Sequence, residues 1–455
     1  MKTRKKIFIA ITVILLLVVF TIGAFLVIRY VRNRGEENDN NEQAYTGLEL
    51  DKNLVSYEEV QPGTFKINVL TDQLGTITRI KISPDGEMML VSDLAGTVWV
   101  FRKEQNSEGI VENDGNFVKQ EKPFYKIETG FTGFPNENGL TGIAFGADFS
   151  DSKDIFLLYA IDLGKDGAKN RITRISYEED GSGNLVGTDP VNVFDSNREP
   201  AGAHQIQNGL GVMIQGKPHL LFSLGENYNP PDSKDLTKEA GKIMLIQRDG
   251  SDPVGTRPFS GHPKICTKGI RNVYGFDIDL NDPELRVAFL DNGPNLNDRL
   301  GYAKLIDPDG ELAGGYDFNW DGEDDPITKV VPDINVQSSP NSLLHIWDQT
   351  VSPDEVIFYP GKGTIPASDD KTSYALVLLF GQTGTSDNEK GKEILLAKID
   401  RSSFQPKVSF TTLIHRSDKA TEFAGNPLGL AYDPVTLKIY FGDLVEGRIY
   451  EVEPL

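Results

Sequence analysis

Six stretches of this chain share one plan: an apolar alternating strand, a tight turn of Asp, Gly or Asn, and a second apolar strand that often closes on Gly or Asp. The clearest are Arg79–Val100 (RIKISPDGEMMLVSDLAGTVWV) and Pro427–Val452 (PLGLAYDPVTLKIYFGDLVEGRIYEV), with others beginning near Gly139, His204, Val273 and Tyr374. A strand pair has two apolar faces and cannot cover both alone, so units repeated at intervals of roughly sixty residues stack on one another around a ring. The expected fold is all-β, a six-bladed β-propeller. Runs such as LRVAFLD, YALVLLFG and KIYFGD are apolar nearly throughout, as strands packed on both faces are. The 45 Gly and 25 Pro supply the turns that so many short strands need.

Before the repeats lies a different kind of segment. Ile7–Ile28 holds 22 positions without a charge, and at about 1.5 Å per residue they reach the roughly 30 Å of a bilayer core. This predicts one transmembrane helix. A cleaved signal peptide is the competing reading, although its apolar region usually runs only about 7 to 15 residues. Lys2, Arg4, Lys5 and Lys6 precede the segment and Arg29, Arg32 and Arg34 follow it, a small bias toward a cytoplasmic N-terminus. The expected organisation is residues 1–6 in the cytoplasm, 7–28 in the membrane, 29–49 as a polar stalk and 50–455 as the propeller. The protein is then single-pass in the cell membrane, with its C-terminal domain extracytoplasmic.

Removing the seven basic side chains before Gly35 from the net charge of −21 leaves −28 on the remainder. Nucleic acid is excluded as a partner, since its phosphates require a basic face. Neutral sugars and divalent cations are compatible with such a surface. The single Cys266 rules out an intramolecular disulfide framework. Neither a Gly-x-Ser-x-Gly elbow, a phosphate-cradling loop nor a zinc pattern is present.

Four stretches carry more than repeat structure: ENGLTGIAFGADFSDSKDIFLLYA from Glu137, AHQIQNGLGV from Ala203, LGENYNPPDSKDLTKEAGKIMLIQRDGSDP from Leu224 and GIRNVYGFDIDLNDPELRVAFLDNGPNLND from Gly269. Together they resemble the glucose/sorbosone dehydrogenase family over roughly residues 60 to 452. The resemblance implies a six-bladed propeller related to enzymes that oxidise sugars with pyrroloquinoline quinone (PQQ) and calcium. His204 matches the base that takes the proton of a sugar hydroxyl, a task suited to a side chain titrating near neutrality. Arg271 matches an arginine that stabilises negative charge on the cofactor, as a permanently charged donor fork can. Glu137 and Asn138 fall beside the cofactor, and Gly293 and Pro294 fall on a loop whose carbonyl oxygens hold calcium. For His204 the competing reading is a structural histidine, and for Arg271 an ordinary ion pair.

Asp317-Phe-Asn319-Trp-Asp321-Gly322 also has the oxygen spacing that opens a calcium loop, but Thr328 stands where an EF-hand needs Glu. A weaker cation site on Asp317, Asn319 and Asp321 is the remaining expectation. The same stretch matches a plain turn of the family. Three positions depart from the quinone-binding pattern: Glu137 replaces Gln, Ala203 replaces Asp, and Gly425-Asn426-Pro427-Leu428 lacks the arginines expected before the last blade. Lys362, Lys371 or Arg416 could substitute from loops, with Lys362 taken as the cofactor-binding candidate. The function implied is a membrane-anchored dehydrogenase acting on a sugar or related alcohol. The alternative is a non-catalytic propeller that binds a glycan, cell-wall polymer or protein.

Overall fold

The computed structural model describes residues 57–71, 74–103, 115–131, 137–196, 202–255, 257–294, 296–310, 313–320, 322, 331–332, 342–381, 391–416, 426–444 and 447–455. The expected membrane helix, the stalk and Asp321 lie outside these residues. Among the described residues no helix is long and apolar enough to cross a membrane.

Alternating apolar strands joined by short turns pair into six sheets, each one blade, antiparallel except where Ile265–Lys268 meets Tyr316–Asp317 in parallel in blade 3. Their inner strands are Ile77–Ile82, Leu140–Phe145, Ile206–Ile214, Val273–Ile278, Pro353–Phe358 and Pro427–Tyr432, for blades 1 to 6. The next strand outward is the most apolar: Met88–Asp93, Val287–Asp291 and Ile439–Asp443 are buried along their whole length. Phe222, Phe289 and Phe441 on these second strands are fully buried. Each such side chain contributes about 1.5–3 kcal/mol of transfer free energy.

The ring closes through the N-terminal segment. Phe65–Thr71 is the outermost strand of blade 6, paired with the C-terminal strand Ile449–Pro454, and Tyr57–Glu59 adds an edge strand to blade 5. Tyr57 packs on Phe441 and Tyr450 at 4.8 and 5.0 Å between ring centroids. The blade-to-blade seam therefore joins both ends of the propeller.

One irregularity recurs in all six blades. The pairing of the inner strand with its neighbour slips at Ile77/Arg79, Leu140/Gly142, Ile206/Gly209, Val273/Gly275, Pro353/Glu355 and Leu428/Leu430, always near the start of the inner strand. A bulge re-aims the residue it displaces, and several of these residues bond to the next blade. The Thr78 hydroxyl donates to the Leu140 carbonyl at 2.7 Å, Thr141 to the Ile206 carbonyl at 2.5 Å, and the Gly429 amide to Asp354 at 2.8 Å. Across the axis, the fully buried Arg79 meets Glu355 of blade 5 and also donates to the Tyr274 and Thr141 carbonyls. Lys81 and Asn208 reach the same Glu355 at 3.2 and 3.0 Å. This polar plug lies just beyond the starts of the inner strands, where the candidate site is built.

Candidate functional site

His204, Asn138, Arg271 and Asn426 all sit one to three residues before an inner strand, so the topology gathers them at one end of the ring. Such chain ends, freed from the ladder, are where a propeller can aim polar side chains. His204 is held in a left-handed conformation at φ 56 and is 5% exposed. Its backbone N–H donates to Glu137 Oε2 at 2.8 Å, and its Nδ1 lies 2.5 Å from Glu226 Oε1. A carboxylate can only accept, so in the neutral imidazole Nδ1 carries the hydrogen and Nε2 keeps a lone pair. That is the arrangement of a base with its orienting carboxylate.

Glu226 comes from the turn that leaves the second strand of blade 3, Lys217–Leu224. Its backbone N–H donates to the Arg271 carbonyl at 2.7 Å, which ties the turn to blade 4. Gly225 permits the close approach, since a Cβ there would stand 2.5 Å from the His204 carbonyl. Asn227 and Tyr228 continue at φ 59 and 55, and the Tyr228 ring lies 4.4 Å from the His204 ring. Partial desolvation on the His204 side lifts the Tyr228 phenol above its ordinary pKa, with the charges of Glu137 and Glu226 adding to the rise and Arg271 opposing it. Glu137, Glu226 and Arg271 are thus all within electrostatic reach of one ring.

The turn is fastened from beneath by Lys242, which is wholly buried and donates to the carbonyls of Asp232, Ser233 and Ala240 at 2.8–2.9 Å. Burial brings this ammonium down to about 7. Lys234 from the same loop lies between Asp317 and Asn319, at 3.1 Å from Asp317 Oδ1 and 2.7 Å from Asn319 Oδ1. The three side-chain oxygens of Asp317 and Asn319, the described part of the expected weak cation site, are therefore bonded to an ammonium. Among the described residues no three His, Cys, Asp or Glu side chains converge as a metal would require.

Arg271 reaches the loop expected to hold calcium. Its NH1 donates to the carbonyls of Asn292 and Gly293 at 3.0 and 2.9 Å, and its guanidinium lies 5.8 Å from the centre of the Trp320 ring. Pro294 follows on the same loop, and Asp298 fixes that turn by accepting from the Gly293 amide at 2.7 Å. Asp291 accepts from the Arg271 and Asn272 amides and pairs with buried Arg299. Lys362 is placed elsewhere. It follows the far end of its inner strand, Pro353–Phe358, and donates to the Thr436 carbonyl in the opposite hairpin of blade 6 at 3.0 Å. Its expected role as a substitute cation at the cleft is corrected by that position: the inner strand runs the length of the ring between them.

Several buried polar atoms at this end lack a partner, among them Trp320 Nε1, a donor beside Arg271. Asn138 Oδ1, Gln207 Oε1, Glu226 Oε2 and Asn292 Oδ1 are buried acceptors without a donor. Buried polar atoms normally have partners, so four orphaned acceptors mark a place where donors arrive with a ligand or water.

The chain is thus an all-β ring of six blades with a buried histidine–carboxylate pair at the end where its inner strands start. The Glucose / Sorbosone dehydrogenase family model matches residues 75–374, and the chain belongs to that family. Aldose sugar dehydrogenase YliI of Escherichia coli (strain K12) is 24% identical over 278 residues, covering 59% of this chain and 67% of that protein. The apo form of the soluble aldose sugar dehydrogenase from E. coli shares the fold at TM-score 0.59 and 17% identity, over 86% of this chain and 100% of the other. The PQQ-bound aldose sugar dehydrogenase from Streptomyces coelicolor does so at TM-score 0.57 and 17% identity, over 86% and 99%. A calcium structure of a Trichoderma reesei carbohydrate-active enzyme of family AA12 matches at TM-score 0.60 and 14% identity, over 90% and 100%.

Of the residues singled out by sequence, His204, Glu137 and Arg271 gather around one turn, while Asp317 and Asn319 stand behind it on Lys234. Glu226 and Tyr228 were not singled out. Both lie within the stretch from Leu224 that carries the family resemblance, and an acidic residue directly after the second strand was the available signal.

Proposed function

We propose that the cleft receives a carbohydrate whose hydroxyls donate to the orphaned acceptors, and that His204 takes the proton of one hydroxyl. The observation that carries this reading is the buried His204–Glu226 pair at 2.5 Å, which leaves Nε2 as the acceptor. A general base must lie within hydrogen-bond reach of the proton it removes, and such a group contributes about 10²–10⁴ in rate. Glu137 supports the pair by fixing the His204 backbone.

The quinone of the relatives is a separate matter. PQQ carries three carboxylates, and burying them needs cations. Among the described residues, Arg271 shares the surroundings of Tyr228 with the negative Glu137 and Glu226, and its NH1 is engaged by two carbonyls. Four of the orphaned atoms are acceptors, which repel carboxylates and attract hydroxyls or a cation, while Trp320 Nε1 is a donor. The described residues do not fit the quinone, and no step is routed through it. Calcium at Gly293 and Pro294 would compete with Arg271 for the Gly293 carbonyl. The orphaned acceptors also favour, as a second reading, a propeller that binds a glycan without turnover.

Dye-linked oxidation and calorimetric binding of aldoses, each with calcium and with or without PQQ, separate these readings. Turnover that His204→Ala abolishes while binding persists supports the base. Binding without turnover leaves the glycan-binding reading, and absence of both sinks the carbohydrate. We also infer from Ile7–Ile28 that the protein is anchored in the cell membrane with its propeller outside.

A further inference from the structure

We propose that Tyr228 is the gate of the base: its ring shields His204 and forms the aromatic wall against which a sugar must lie to reach Nε2. This deepens the carbohydrate reading above and rests on it only for the identity of the ligand. The contrast in exposure is the first observation. Tyr228 is 60% exposed, whereas the imidazole it covers is 5% exposed and Glu226 is 2% exposed. An exposed large aromatic ring gains little from burial, so its position over His204 is not explained by core packing.

The backbone supplies the second observation. Asn227 and Tyr228 are consecutive non-glycine residues at φ 59 and 55. Side chains avoid that region because Cβ crowds the following carbonyl, and such outliers persist only where their surroundings hold them. The surroundings are visible on both sides. Gly225 and Glu226 donate through their amides to the Gln205 and Arg271 carbonyls, Asn229 donates back to the Glu226 carbonyl, and Gly241 closes the loop on the Gly225 carbonyl. The backbone of the turn is thus clamped, and from it the ring rests on the imidazole, 4.4 Å away and tilted by 41°.

The ring's other face meets solvent. The C–H faces of a pyranose are suited to an aromatic surface, while a small alcohol has too little apolar area to displace a stacked ring. The phenol also stands among Glu137, Glu226 and Arg271, so a ligand that moves the ring changes the field at the base. Tyr228 therefore acts on both access and selectivity.

The test uses the full chain and diethyl pyrocarbonate, with the peptide holding His204 followed by mass spectrometry. Tyr228→Ala and Tyr228→Gly should accelerate modification of His204 at least tenfold, and Tyr228→Phe should match the wild type. The unfolding midpoint of Tyr228→Gly should hold or rise, because glycine accepts the left-handed backbone. Equal modification rates in wild type, Tyr228→Ala and Tyr228→Gly would overturn the gate. Aldoses should slow the wild-type reaction and ethanol should not. Lack of protection by any sugar would overturn the carbohydrate reading instead, leaving the gate to stand or fall on the rates alone.

Discussion

Glu226 decides which nitrogen of His204 is free. Replacing it with Gln presents an amide that can donate to Nδ1, which moves the ring hydrogen to Nε2 and removes the lone pair. Glu226→Gln should therefore lower any proton-abstraction rate by about 10²–10⁴ while sugar affinity, measured by calorimetry, changes by only a few fold. Equal losses in binding and rate would assign Glu226 a structural role. His204, Glu137 and Arg271 were legible in sequence because each precedes a repeated strand within a family-like stretch. Glu226 was not, since its partnership with a histidine 22 residues earlier exists only once the hairpin brings the chain back. Lys362 misled for the converse reason: charge alone says nothing about which end of a strand a residue occupies.

The turn from Gly225 to Gly241 is the element that makes the site, and Lys242 is its fastening. Lys242 lies at the start of the strand KIMLIQ, whose four middle residues are apolar and buried. Its ammonium is held below the ordinary lysine value by burial, with Asp235 and Asp232 opposing that shift, Lys268 reinforcing it and Asp317 opposing it. A folded-state value below the unfolded one means that the unfolded chain binds more protons between about 7 and the ordinary value near 10.4. The contribution of this group to stability should therefore fall as pH is lowered from 10 to 7. Urea unfolding across that range should show a slope that Lys242→Met removes; an unchanged slope would contradict the assignment. The strand pairs themselves were legible from alternation. The six bulges were not, because one extra residue leaves the apolar pattern nearly intact while turning a side chain toward the axis.

At the scale of the ring, closure and the axial plug carry the stability argument. Glu355 joins Arg79 and Lys81 of blade 1 to Asn208 of blade 3, and removing one partner of a buried pair leaves an uncompensated charge. Glu355→Ala should cost about 3–5 kcal/mol, read by chemical denaturation. Beside it, burial lifts the Asp354 carboxyl above the usual range despite Arg79, and burial likewise brings Asp277 up to about 6. A raised carboxyl keeps its proton in the fold after the unfolded chain has released it, so this stability is present below about pH 4 and is lost as pH rises toward neutrality. Asp354→Asn should flatten that loss while still accepting from the Gly429 amide. The sixfold count was legible from the repeats, but closure by Phe65–Thr71 was not, because that strand pairs with residues at the other end of the chain. The proposed anchor predicts that the full chain sediments with membranes and that removal of residues 1–34 releases it. A full chain that stays in the supernatant would contradict the anchor.

The central claim is that His204 offers a bare Nε2, oriented by Glu226, to a sugar hydroxyl. Nitrogen-15 NMR of the imidazoles tests it most directly, since the chain has only five histidines and His204→Ala assigns the signal. The account predicts a neutral ring with hydrogen on Nδ1, a Glu226→Gln variant in which it moves to Nε2, and an Nε2 shift when an aldose is added. Hydrogen on Nε2 in the wild type, or a ring indifferent to saturating sugar, would contradict it.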